Sequence, residues 1–298
     1  MIRKFAELLL KVKEKEIKIL AVAVPEDKEV MNAVKLAVEK NMIYPILIGC
    51  KNKIEKISRS VGLNNTDIEI VDVENDKEAC KKAVKLTSSG KADLLMKGLI
   101  DTSLIMKEVL NKEYGLRKNR LISHIAMVES KVLGRLLFVT DGGMNIKPDL
   151  DERKEIIQNA INVTKKLDYE NPKVAVLAAI EKVNSAMEET IEAAALSKMN
   201  DRGQIKGGIV DGPLAIDNAL SEEAAKMKGI LSPVAGKADI LHVPEIVSGN
   251  ILGKSSIYLA NEKIAAIIGG TSSPVVLTSR ANTADIKLVS IAAAVLMT

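Results

Sequence analysis

The stretch Lys18-Ile19-Leu20-Ala21-Val22-Ala23-Val24, then Asp27 to Met42, then Tyr44-Pro45-Ile46-Leu47-Ile48-Gly49 decides the fold class. Its first and third pieces are short apolar runs of strand length. The middle piece carries Val30, Ala33, Val34, Ala37 and Val38 at helical spacing. Strand, helix, strand is the building unit of a parallel sheet covered by helices. The alternation continues with helix 51–61, strand 67–73, helix 77–88, strand 92–97 and helix 102–112. It resumes with helix 151–167, strand 173–180, helix 185–199, strand 208–211, helix 221–228, strand 238–243, helix 254–261 and strand 264–269. A strand at 275–277 and a helix at 284–297 close the chain. Between the two series, 120–129 and 135–141 read as successive strands around a turn at 130–134, an antiparallel pair where one lobe gives way to the next. The expected architecture is α/β in two lobes sharing a cleft, with ligands beyond the C-terminal ends of the strands. The lobes are expected at 1–122 with 278–298, and at 123–277.

The chain has 298 residues, enough for two domains with their own cores. It is 47% hydrophobic and 28% charged but only 2% aromatic, so Ile, Leu, Val, Ala and Met must build the interior. So few aromatic rings also argue against base-stacking on single-stranded nucleic acid. A net charge of +4, with both signs interspersed, reads as a solvated surface with a slight attraction for anions. No nucleic-acid partner is expected. Cys50 and Cys80 form no CxxC pair, and only His124 and His242 are present, which excludes a His-rich metal site. The first twenty residues carry charges throughout and no apolar run reaches transmembrane length, so a cytoplasmic protein is expected.

Chemistry-bearing residues gather where strands end. Pro274-Val275-Val276-Leu277-Thr278-Ser279-Arg280 runs from a strand toward the last helix, joining hydroxyls, a guanidinium and fresh helix N–H groups. Arginine can grip two phosphate oxygens at once, and a neighbouring serine can donate to a developing oxyanion. The plain alternative is a helix cap beside a surface charge. Ser248-Gly249-Asn250 reads as a second such turn, or as an ordinary cap. Gly249-x-x-x-Gly253-Lys254-Ser255 is one residue short of a phosphate-binding loop, so nucleotide hydrolysis by this motif is rejected. Asp141-Gly142-Gly143 and Asp211-Gly212-Pro213 each set a carboxylate at a sharp turn, and Lys237 stands in a loop before a strand, facing a ligand or solvent. Lys97 closes a strand, while Thr102 and Lys107 belong to the next helix, placed for a shared anion or for solvent. His124, on a strand, is a base or a hydrogen-bonded core residue.

Asp211-Gly-Pro-Leu-Ala-Ile-Asp217, Ser232-Pro-Val-Ala-Gly-Lys-Ala-Asp239, Gly249-Asn250 and Thr278-Ser-Arg280 together resemble the phosphate acetyltransferase and butyryltransferase family. Met96-Lys-Gly98 and Ser123-His124 look more like its butyryltransferase branch. The resemblance spans nearly the whole chain. It implies a two-domain isocitrate/isopropylmalate-dehydrogenase-like fold with an interdomain cleft, usually as a homodimer or larger assembly. The implied reaction is acyl-CoA plus phosphate giving acyl phosphate plus CoA, with CoA as substrate and no permanently bound cofactor or metal. Ser279 and Arg280 are implied at the reacting acyl phosphate, with an aspartate shortly after them, here Asp285, as base toward the thiol; His124 is the alternative group expected to handle that proton. Taken with the strand-end reading, Lys97, Thr102, Lys107, Asp211, Lys237, Gly249 and Asn250 are expected to contact substrate. Asp285 stands one position nearer Ser279 than in acetyltransferases. Lys107 stands where those enzymes carry a phosphate-binding Arg, and Ile257 stands near their CoA-contacting Arg. These departures favour a butyryl-type pocket for a longer acyl chain. A metal- and NAD-dependent hydroxy-acid dehydrogenase of the same fold, using Asp211 and Asp217, is the competing enzyme. A non-catalytic acyl-CoA or phosphate sensor is the competing binding protein.

Overall fold

The computed structural model describes residues 1–117 and 120–298. In chain order its elements begin α1 Phe5–Lys11, β1 Lys18–Ala23, α2 Lys28–Glu39, β2 Ile43–Gly49, α3 Lys51–Val61, β3 Glu69–Asp72, α4 Asp76–Ser88, β4 Leu94–Lys97 and α5 Thr102–Val109. Then come β5 Ser123–Ser130, β6 Arg135–Thr140, α6 Leu150–Lys166, β7 Lys173–Leu177, α7 Glu188–Asp201, β8 Ile209–Leu214, α8 Ile216–Leu220, α9 Glu222–Met227 and β9 Ile240–His242. The chain ends with α10 Ile246–Tyr258, β10 Lys263–Gly269, β11 Val275–Val276 and α11 Ala284–Met297. This is an α/β protein, and its described residues fall into two compact units. The N-terminal unit comprises Phe5–Arg120 and Ala265–Thr298, and the central unit Met1–Lys4 and Leu121–Ile264. Among the described residues no helix is long and apolar enough to cross a membrane.

In the N-terminal unit the strand order is β3-β2-β1-β4-β11-β10, parallel except for β10, which runs antiparallel to β11. Strand β1 is buried from Leu20 to Ala23, the unbroken apolar run expected where helices cover both faces. Helix α2 starts where the Asp27 carboxylate accepts the Val30 N–H, and it buries Val30, Met31, Ala33, Val34 and Ala37. That is the stripe read from the sequence, with Met31 buried in addition and Val38 only partly so. Helix α11 is buried from Lys287 to Leu296, as befits a helix apolar on all sides, and α1 and α2 pack against it. Residues 265–277, expected with the other lobe, group here. Val275 and Val276 pair with Leu95 and Met96, which binds the segment to β4.

In the central unit the order is β5-β6-β9-β7-β8. Strands β5 and β6 form the expected antiparallel pair, and β6, β9, β7 and β8 are mutually parallel. Val128, Val139, Leu177, Leu214, Leu241 and Val243 belong to its core. Helix α8 has no counterpart in the sequence reading, and two further departures touch candidate residues. Strand β8 continues beyond Asp211 to Leu214, so that carboxylate lies within the strand rather than at its end. Helix α10 begins at Ile246, well before the expected 254, because the Glu245 carboxylate accepts the N–H groups of Val247 and Ser248. Gly249, Asn250, Gly253 and Lys254 are therefore helical residues, not a turn.

His242, at the end of β9, is fully buried and neither ring nitrogen has a hydrogen-bond partner. Burial, with the Arg153 guanidinium adding to it, pushes this imidazole down from 6.5 to about 3. On acidification the unfolded chain takes up this proton first, so the contribution is complete above about pH 6.5 and is lost toward pH 3. Urea midpoints should fall between about pH 7 and 4.5. They should fall less steeply in His242→Leu, which sacrifices no hydrogen bond. Parallel profiles for the two proteins would refute a buried neutral His242.

Candidate active site

Strands β4 and β11 lie side by side, with Val276 opposite Met96, so Gly98-Leu99 and Thr278-Ser279-Arg280 emerge at the same edge of the sheet. Gly98 is crowded by backbone: a Cβ there would stand 2.1 Å from the Val24 carbonyl oxygen. An open depression of about 220 Å³, counted to the solvent at its mouth, is lined by Asp27, Gly98, Thr278, Ser279, Arg280 and Lys287 among others. The Ser279 N–H donates to Asn282 Oδ1 at 2.7 Å, and the Asn282 N–H returns to the Ser279 carbonyl at 3.1 Å. Ser279 Oγ accepts the Ala281 N–H at 3.3 Å, which leaves its own O–H to donate elsewhere. Thr278 Oγ1 is buried, without a hydrogen-bond partner, in a residue only 7% exposed.

Positive charge collects around this turn. The Arg280 guanidinium meets Asp101 Oδ1 at 2.6 Å, with side chains 57% and 70% exposed. A pair so exposed contributes about 0–1 kcal/mol, which an anionic ligand can readily replace. Lys97, 4% exposed, donates to the Gly98 carbonyl at 3.3 Å. Burial pushes its ammonium below the usual lysine range, and the charges of Arg280 and Lys287 add to that. Lys287 is lowered chiefly by burial, with Asp27 and Glu29 opposing the shift. The expected fresh N–H groups of the last helix are partly engaged, since Ala284 N–H donates to Glu29 Oε2 at 2.6 Å. This edge can bind an oxyanion and offer hydroxyl donors to it.

The central unit holds a second cluster, built on Asp141. This carboxylate is 3% exposed and accepts the backbone N–H groups of His124, Gly143, Met144 and Asn145 and the Asn145 side-chain amide. It thereby fixes the Gly142-Gly143 turn after β6. A Cβ on Gly143 would approach the His124 ring to 3.0 Å, so the glycine seats the imidazole. His124 Nδ1 is buried without a partner, and burial pushes the ring below its ordinary value against the opposing pull of Asp141. The ring is thus a neutral imidazole near pH 7. Asn250 Nδ2 reaches the Gly142 carbonyl at 3.3 Å, and Gly249 packs on Gly142 with room for no Cβ. Glycine at 249 answers a close approach of two backbones, not a turn.

The structure therefore joins Ser279 and Arg280, with Lys97 beside them, and separately joins His124, Gly249 and Asn250. Thr102 is exposed at the start of α5, next to the Asp101 that pairs with Arg280. Lys107, exposed in the last turn of α5, suits the helix's negative end. Asp285 is exposed in the first turn of α11, where a carboxylate suits the positive end. Asp211 lies apart from His124. Its strand β8 is four places from β5 in the sheet order, about 19 Å at ordinary strand spacing. Its carboxylate accepts the Gly212 N–H and the Ser197 hydroxyl. Lys237 is exposed and pairs with Glu222 at 3.8 Å. Asp217 pairs with Lys228 at 3.0 Å, and among the described residues no three His, Cys, Asp or Glu side chains form a metal-holding group. Sequence reasoning missed Lys287, Asp101 and the organising role of Asp141. A single lysine inside the run Ile286-Lys287-Leu288-Val289 was the available signal for the first.

Alanine ordinarily favours a helix over glycine by about 1 kcal/mol. In Gly249→Ala the new Cβ would stand 2.6 Å from Gly142 Cα and 2.8 Å from Val243 Cγ2. Forcing backbone apart costs about 1–3 kcal/mol, so net destabilisation is expected in thermal or urea unfolding. A more stable Gly249→Ala would contradict the packing.

The sequence pattern described as "Phosphate acetyl/butaryl transferase" matches residues 75–295. Phosphate butyryltransferase of Clostridium acetobutylicum is 48% identical over 297 residues, spanning 100% of this chain and 99% of that protein. Phosphate acetyltransferase of Thermotoga maritima is 45% identical over 288 residues, spanning 97% of this chain and 98% of that one. The solved structure of a branched-chain phosphotransacylase from Enterococcus faecalis superposes with a TM-score of 0.83 at 32% identity, covering 94% of this chain and 99% of that one. Matched by that family pattern over residues 75–295 and by a relative 48% identical over its full length, the chain belongs to the phosphate acetyl/butyryl transferase family.

Proposed function

We propose that this enzyme transfers a short-chain acyl group, butyryl or one of similar size, between CoA and inorganic phosphate: acyl-CoA + phosphate = acyl phosphate + CoA. The observation that carries the reading is the Ser279-Arg280 turn, which offers a weakly paired guanidinium and a free hydroxyl donor at one strand edge. Its two units act as the domains of an isocitrate/isopropylmalate-dehydrogenase-like enzyme, with substrates taken into the cleft such a fold provides. CoA enters as a substrate, and no permanently bound cofactor takes part in this reading. A cytoplasmic setting is consistent with Cys50 and Cys80, both free thiols. Self-association into a homodimer or larger assembly belongs to the same reading. It is supported by Val247, Ile251 and Tyr258, which leave an apolar row exposed on α10.

In the acyl-phosphate-forming direction, phosphate displaces Asp101 from Arg280. The buried ammonium of Lys97 adds positive potential that gathers the incoming dianion. A phosphate oxygen attacks the thioester carbonyl, a carbon–oxygen bond forms and the carbon–sulfur bond breaks. Ser279 O–H donates to the carbonyl oxygen as negative charge grows on it, a contribution on the order of 3 kcal/mol for a well-placed donor. The thiolate leaves and takes its proton from an acid held near it. For the reverse reaction, in which the thiol must lose that proton, two bases are available. His124 is a neutral imidazole able to accept it, and Asp285 is a carboxylate exposed in the first turn of α11. Thr278, with its unpartnered hydroxyl in the same depression, is a further donor to the bound anion.

Arg280→Ala should fold normally, because the side chain is more than half exposed, and should lower turnover in a CoA-release assay by about 100-fold or more. Near-normal turnover would overturn the assignment. Each added methylene buried by the acyl pocket is worth about 0.8 kcal/mol. Butyryl phosphate should therefore exceed acetyl phosphate in kcat/KM by about tenfold or more. Equal values across acetyl, propionyl, butyryl and branched substrates would show that no pocket selects the longer chain.

A further inference from the structure

We propose that Lys287 is a positioning residue that sets the Ser279–Arg280 turn for phosphate binding, an inference that rests on the reading of that turn given above. Lys287 lies in the buried face of α11, only 2% exposed, among Leu288, Val289 and Ile291. A lysine so placed forfeits its hydration, and Met or Leu would fill the same space without that cost. What the ammonium gains is specific. Its Nζ donates to the Ser279 carbonyl at 3.0 Å and to the Asn282 carbonyl at 2.6 Å. Those two carbonyls bound the turn, and the residues between them, Arg280 and Ala281, are both exposed. One buried cation therefore ties down both ends of the segment that presents the guanidinium. The Ser279 carbonyl also receives the Asn282 N–H, and the Ser279 N–H is held by Asn282 Oδ1, so the lysine completes a closed set of bonds around the turn. Asp27 and Glu29 supply the negative potential that keeps the ammonium charged, and Glu29 also caps α11 at Ala284.

A lysine that only stabilises the fold and one that aims Arg280 differ in what its loss does to the folded enzyme. Lys287→Met, in the full-length protein, should lower kcat/KM for phosphate tenfold or more, chiefly through a raised phosphate KM, with the folded fraction verified by circular dichroism. Lys287→Gln, which keeps a donor for one carbonyl, should lose less and serves where the methionine variant folds poorly. Combined with Arg280→Ala, Lys287→Met should add little further loss, because a residue acting through Arg280 has nothing left to position. The inference is overturned if Lys287→Met shifts only the thermal midpoint while kcat and phosphate KM stay at wild-type values. It is equally overturned if its loss multiplies undiminished in the Arg280→Ala background. A different result, full turnover by Arg280→Ala alone, would remove the site reading first and this inference with it.

Discussion

Lys287 carries its ammonium into a setting from which water is almost excluded, and such a group stays charged only if acceptors come to it. The acceptors that come are main-chain carbonyls of residues 279 and 282. A carbonyl cannot turn inward without turning the adjoining side chains elsewhere. Holding both ends of a four-residue turn from beneath leaves Arg280 and Ala281 on its open side. A short polar loop would otherwise relax among many conformers, and the entropy of fixing it, about 1–2 kcal/mol per residue, must be met by contacts of this kind. The exposed guanidinium thus depends on a buried cation several residues later in the chain.

The central unit reaches the same end with the opposite charge. Asp141 is a buried carboxylate, and the donors it gathers are the N–H groups of the turn after β6 and of His124. Carboxylate and ammonium play matching parts: each organises the backbone polarity it needs, and each leaves a functional group seated on the result. Small residues complete the central cluster, because Gly142, Gly143 and Gly249 allow backbones and the imidazole ring to approach where any Cβ would intrude. These are packing constraints first, and they set the position of His124 and Asn250 as a consequence.

The alternation of strands and helices was legible because apolar periodicity is a direct record of burial. The bounds of α3 and α11 were read to the residue, and the hairpin of β5 and β6 was anticipated. The start of α10 was misread because Ser248 and Asn250 are favoured caps while Glu is a poorer one. Only the side-chain bonds of Glu245 to two N–H groups reveal the true beginning. At Gly249 the sequence allows a close approach of backbone to a ligand or a turn, whereas the approach it serves is to the backbone of Gly142. Lys287 escaped for a related reason: sequence periodicity treats every lysine as solvent-facing, whereas this one points at carbonyls brought in by a loop preceding its own helix. Ser279 and Arg280 stand out in the sequence because residue type alone, a hydroxyl beside a guanidinium after a strand, already limits what such a turn can bind.

Charges near the turn divide by how firmly they are held. Lys287 is buried and doubly bonded, so its contribution to the local potential is fixed. Lys97 is buried with one long bond to a carbonyl, and its positive charge is held at a cost visible in its lowered proton affinity. Arg280 alone is exposed, and its partner Asp101 is exposed with it. Bringing phosphate against a thioester on CoA sets two anions close together, so a standing positive potential lowers the cost of approach. On the proposed mechanism, a single exchangeable pair would let phosphate dock by replacing one carboxylate, without disturbing the buried charges. If Arg280 were as firmly held as Lys287, it could not exchange partners. If Lys287 were as loosely held as Arg280, nothing would fix the position from which that exchange occurs.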